Sequence, residues 1–202
     1  MYNWRKMTKQ QRSEVLQLRK RRKLPWHSPP HWDYQGEHSF LISSACFEHA
    51  PVIGKNPQRM AECEQDLLSI CRTYEADVFA WCLLPNHYHI LLQTNRIKEL
   101  IKQIGLFHGR SSFLWNGEDN RRGRQVWHSC FDRPMKSERH FWATLNYVHH
   151  NPVHHGYVKR WQDWPYSSAA RFLEAVGREK AKEIWEKYPL LDYGKKWDPP
   201  DA

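Results

Sequence analysis

Two imidazoles flank a tyrosine in the apolar run "LLPNHYHILLQT" at residues 83–94. On a strand, His87 and His89 point to the same face, about 7 Å apart at the backbone for a rise of roughly 3.3 Å per residue. Imidazole is the commonest metal ligand, and two at this spacing can converge on one divalent ion. The pair alone fits equally well two histidines hydrogen-bonded on a half-exposed sheet. The stretch "LNYVHHNPV" adds Tyr147 and Asn151. These are four apart, hence on one helical face with Cβ atoms roughly 5–6 Å apart. Two neutral imidazoles and an amide oxygen give an ion a partial shell, with positions left for substrate oxygens. A phenol beside such an ion is placed to act as a nucleophile. Singly, Tyr147 also reads as helix packing and Asn151 as a helix-ending residue before proline.

Periodicity supplies the elements that must carry these groups. Residues 38–49 read as a strand, and 58–74 as a helix with Met60, Cys63, Leu67 and Ile70 near helical spacing. "ADVFAWCLL" and "HYHILLQT" are strands joined by the turn signal Pro85-Asn86, hence a hairpin. A second helix follows over 97–115, then a strand in "RQVWHSCFDRPM". A third helix opens at Ser137 as N-cap and is expected to stop at Pro152. The order β-α-β-β-α-β-α predicts an α+β fold. Its first six elements form a ferredoxin-like split βαβ unit, an antiparallel sheet with helices on one face. An N-terminal basic arm and a C-terminal helical extension flank it. The expected division is 1–36 for arm and Pro-rich linker, 37–170 for the catalytic domain, and 171–202 for C-terminal helix and tail.

Charge is distributed unevenly. The net formal charge is +9, yet residues 1–23 hold nine Lys or Arg against Glu14 alone, leaving a net of about +1 for the rest. Such a segment suits phosphate binding through counterion release, which nominates Arg19, Arg21 and Arg22. A second basic cluster, "NRRGRQ", nominates Arg122 and Arg124. Five cysteines, odd in number and never in a CxxC pair, read as reduced, buried thiols of a cytoplasmic protein. No apolar run approaches membrane-span length, and the basic N-terminus lacks the apolar core of a secretory signal. No GxxxxGK[ST] loop is present, so no nucleotide cofactor is expected.

"LPNHYHILLQT", then "YVHHNPVHHGYV" and "DWPYSSA", in that order across residues 40–169, resembles the REP-associated tyrosine transposases. These are relatives of the single-tyrosine HUH transposases. The resemblance implies that His87 and His89 bind Mg²⁺ or Mn²⁺, that Asn151 or a neighbouring histidine is the third ligand, and that Tyr147 is the nucleophile. His149 or His150 could assist the phenol as a base. The implied substrate is single-stranded DNA carrying a hairpin, cut through a 5′-phosphotyrosine intermediate without ATP. Two rival readings remain at this level: a hairpin-binding protein that has lost catalysis, and a metal-dependent hydrolase using water. Whether the active site is built within one chain or across a dimer is left open.

Overall fold

The computed structural model describes residues 8–21 and 36–190, which fall into two separate units. In the first, Lys9–Arg21 form helix α1, an element not foreseen in the basic arm. The expected extended linker lies outside the described residues.

The second unit is built on four antiparallel strands: β1 (His38–Ala45), β2 (Asp77–Leu83), β3 (His87–Thr94) and β4 (Phe131–Pro134), ordered β2-β3-β1-β4. Helix α2 (Pro57–Thr73) joins β1 to β2, and α3 (Ile97–Glu118) joins β3 to β4. Asn56 starts α2, its side chain accepting the Arg59 N–H at 2.7 Å. This is the predicted split βαβ unit. Its two helices share one face, where Met60, Cys63, Leu67, Leu100 and Ile104 bury Phe40, Ile42, Tyr88, Ile90 and Leu92. The seventh element, α4 (Glu138–His154), covers the opposite face, packing Leu145, Tyr147 and Val148 on Leu41, Ala80, Cys82 and Leu91. Strand alternation thus divides β3 cleanly: Tyr88, Ile90 and Leu92 face one layer, and His87, His89 and Leu91 the other.

Pro152 does not end α4, which continues through His154. One turn later the chain leaves by a Schellman turn: Tyr157 N–H donates to Pro152 C=O at 2.9 Å and Gly156 N–H to Val153 C=O at 3.0 Å. Gly156, at φ 72°, takes the left-handed conformation that this stop requires. The fourth strand is shorter than expected. Trp127 makes a single bridge to Cys46, and regular pairing begins only at Phe131. The Trp127 indole instead stacks on His108, with centroids 4.2 Å apart.

The "DWPYSSA" segment closes the sheet edge at β2. Leu83 N–H donates to Tyr166 C=O at 2.9 Å and Ser168 N–H to Trp81 C=O at 3.0 Å, so an otherwise open strand edge is paired. Two short helices, α5 (Ala169–Val176) and α6 (Arg178–Lys187), complete this unit. Asn146 on α4 holds the segment after α6, donating to Tyr188 C=O at 2.9 Å. The cysteines are free thiols, four of them buried. Burial pushes Cys46, Cys71 and Cys130 up to about 12, so they are inert packing groups. Among the described residues no helix is long and apolar enough to cross a membrane.

Candidate active site

His87 and His89 stand on β3 directly beneath α4, and their ring centroids converge to 5.1 Å. Each ring is tethered through Nδ1. Asn86 Oδ1 lies 2.7 Å from His87 Nδ1, and the orientation of that amide is fixed because its Nδ2 donates to His49 C=O at 3.2 Å. His87 therefore donates from Nδ1. Ser43, the residue opposite His89 in the β1–β3 register, places its Oγ 2.7 Å from His89 Nδ1.

The Nε2 atoms turn toward α4. His87 Nε2 lies 2.9 Å from Asn151 Oδ1, and His89 Nε2 lies 3.2 Å from the Tyr147 hydroxyl. All four side chains are buried, Tyr147 at 4% exposure and Asn151 at 1%. In the tautomer that leaves Nε2 free of a proton, Tyr147 donates to Nε2 and Nδ1–H donates to Ser43. The one-turn spacing of Tyr147 and Asn151 thus delivers one residue to each histidine.

The His87–Asn151 contact tests the site for a cation. A His87 ring protonated on Nδ1 alone turns a lone pair toward the Asn151 side-chain oxygen. Two acceptors facing each other are reconciled by a proton, a turned amide or a cation between them. Their 2.9 Å separation is close to that of adjacent ligands on an octahedral ion with bonds of about 2.1 Å. The donor set fits a hard or borderline divalent ion. Among the described residues no three His, Cys, Asp or Glu side chains gather into a metal site, and the Asn151 amide is the group at this site that could serve as a third protein ligand.

The neighbouring histidines divide. His149 faces away from Tyr147, its Nε2 2.9 Å from Ser168 Oγ and its ring stacked on Trp161 with centroids 5.8 Å apart. Burial lowers it to about 3. His150 packs on Trp185, with centroids 5.2 Å apart, and burial lowers its pKa as well. Neither is seen beside the phenol: His149, two residues on, points about 200° round the helix, and His150, though only about 60° round, turns to Trp185. His155, at the end of α4, is the one that returns to the site, its centroid 4.9 Å from His87.

The basic nominees are scattered. Arg124 is turned inward, its Nη2 2.7 Å from Asp119 and its Nε 2.9 Å from Asn116. Asp119 also binds buried Arg59, at 2.9 Å, and Lys55, at 3.0 Å. The Arg59 hydrogen bond, with those from Arg124 and Lys55, holds the Asp119 carboxyl well below the usual range. This network binds α2 to the end of α3 and gives Arg124 partners within the fold. Arg122 is exposed and lies over the Phe113 ring at 4.2 Å. Arg21 is exposed at the end of α1, and the Arg19 and Arg22 side chains lie outside the described residues.

Residues 51–151, half of the chain and including all four site residues, match the family model described as "Transposase IS200 like". The chain belongs to this family of DNA transposases. It is 29% identical over 142 residues to a protein of Haemophilus influenzae named a REP-associated tyrosine transposase, covering 60% of this chain and 73% of that one. The REP-associated tyrosine transposase of Escherichia coli K12 is 27% identical over 113 residues, covering 52% and 61%. Among solved structures, a REP-associated tyrosine transposase bound to a REP hairpin aligns with a TM-score of 0.51 at 17% identity, covering 70% of this chain and 81% of that one. That likeness establishes the shared fold.

Proposed function

We propose that this transposase cuts and rejoins single-stranded DNA at hairpins through Tyr147, with His87, His89 and Asn151 holding a divalent cation, Mg²⁺ or Mn²⁺. The observation that carries the reading is the pairing across the β3–α4 gap: phenol to His89 at 3.2 Å, amide to His87 at 2.9 Å. When bound, the ion would polarise the scissile phosphate and offset charge that builds up on its oxygens. Tyr147 Oη attacks phosphorus, its proton is lost, and the P–O3′ bond breaks. A 5′-phosphotyrosine and a free 3′-hydroxyl result. Attack by another strand's 3′-hydroxyl reverses the bond exchange, so the linkage energy is conserved and no nucleotide is consumed. A free phenol with a pKa of about 10 is only roughly 0.1% ionised at neutral pH, so the hydroxyl must be oriented before it is deprotonated. The His89 contact orients it in this structure. Hairpin DNA as substrate is supported by the hairpin-bound neighbour that shares the fold.

The test is a denaturing gel of labelled single-stranded hairpin oligonucleotides incubated with protein and Mn²⁺. Wild type should form a protein-linked band carrying the DNA 3′ to the cut, and Tyr147→Phe and His87→Ala should not. Binding without any adduct would leave a silent recognition protein. Cleavage undiminished in Tyr147→Phe would mean that water is the nucleophile.

A further inference from the structure

Beyond the four site residues, a run of rings leads outward from His87. His155 lies 4.9 Å from His87 between centroids, Tyr157 lies 6.5 Å from His155, and Trp164 lies 5.2 Å from Tyr157. Tyr166 follows at 5.9 Å. The far end is anchored to the domain: Trp164 Nε1 donates to Leu83 C=O at 2.8 Å and Tyr166 Oη to Pro57 C=O at 3.2 Å. The middle is open, Tyr157 being 43% exposed. The Schellman turn at Gly156 sets this position, since it ends α4 and brings Tyr157 back beside the Trp164 ring.

We propose that His155, Tyr157 and Trp164 form a ledge on which unpaired nucleobases beside the scissile phosphate stack. The proposal rests on the tyrosine-nuclease reading of the neighbouring site and names where its substrate's single-stranded part lies. Aromatic faces accept any base, and each such stack contributes about 1–3 kcal/mol in proteins that bind single strands. The spacing favours single strands over duplex. Rings 5.2 to 6.5 Å apart exceed the ~3.4 Å rise of stacked base pairs, so they match bases splayed along an extended backbone. The tether to His87 gives the ledge a direction: a base on His155 adjoins the phosphate that Tyr147 would attack.

The experiment compares hairpin oligonucleotides with and without an unpaired tail, with 2-aminopurine stepped through the tail as a stacking reporter. Wild type should bind the tailed form more tightly and quench 2-aminopurine at one or two adjacent positions. Tyr157→Ala should lose roughly 5- to 100-fold of the tail-dependent affinity along with the quenching. Stem-only binding should be unchanged, and Tyr157→Trp should restore both signals. Tail affinity and quenching that persist in Tyr157→Ala would overturn the ledge, as would a wild type indifferent to the tail. The adduct gel on the same DNAs separates the two ideas. A Tyr147 adduct with Tyr157-independent tail binding removes the ledge alone. Tyr157-dependent quenching without any adduct removes the nuclease reading and leaves the ledge as a recognition surface.

Discussion

His87 and His89 each give one nitrogen to the fold and turn the other toward the site. The nitrogens given are held by Asn86 and Ser43, and both act through the histidine they hold. Removing such a support typically costs 10- to 100-fold in metal affinity. Asn86→Ala should therefore weaken Mn²⁺ binding by about that factor in calorimetry, while Asn86→Asp, which keeps the acceptor, should largely retain it. An unaffected affinity would show that His87 needs no such orientation. His87, His89, Tyr147 and Asn151 were legible in the sequence because two periodicities, two on a strand and about four on a helix, converge on them. Ser43 was not, because its place opposite His89 exists only once β1 and β3 are in register. Asn86 was visible as a turn residue, and nothing in a turn signal says that its amide orients the next side chain.

At the scale of elements, the split βαβ order was readable from alternation and helical spacing, and so was the Ser137 cap, whose Oγ accepts the His140 N–H at 3.1 Å. What composition concealed was the fate of the basic loop after α3. Arginines near a glycine look solvent-directed, yet Arg124 joins a buried pair of Arg59 and Asp119, each side chain 3% exposed. A long-range pair spanning α2 and the end of α3 leaves no local trace in sequence. Asp119→Ala would leave Arg59 charged and buried without its main partner. Breaking a buried pair from one side costs about 3–5 kcal/mol, so urea unfolding should shift by that order. A change below about 1 kcal/mol would mean that Glu118, which also contacts Arg59, carries the pair alone. Pro152 was misread on different grounds: its missing N–H costs one helical bond, to the Val148 C=O, and the single turn beyond it is closed by the Schellman bonds to the Pro152 and Val153 carbonyls.

For the whole molecule, acid is the weak side. His108 and His149 lie buried on opposite faces of the sheet, each lowered by burial from 6.5 to about 3. Both are neutral when folded, whereas the unfolded chain protonates them near pH 6.5. Their contribution is complete above that pH and is lost as pH falls toward 3, at up to about 1.4 kcal/mol per pH unit for each histidine. Asp119 adds in the same direction at lower pH, since its depressed carboxyl supports folding only above the ordinary carboxylate range. Urea midpoints should thus be flat from pH 8 to 7 and fall steadily from 6.5 to 4. His149→Gln should make that fall shallower, and an unchanged slope would remove His149 from the account.

The hydrogen bond between Tyr147 and His89 has a further consequence. With the His89 proton on Nδ1, Nε2 has a single lone pair, and it faces the phenol at 3.2 Å. On the proposed reading, hydroxyl and ion would compete for that one atom, and the resting tyrosine would work as a safety catch on a ligand its reaction needs. An ion taken up by His89 would then free the hydroxyl in the same event. A hydrogen bond of about 0.5–1.5 kcal/mol is what the ion must displace, so Tyr147→Phe should bind Mn²⁺ roughly two- to tenfold more tightly than wild type. Equal affinities would show that the two do not compete. On the proposed reading, the disarmed variant would be the one that grips an added ion best.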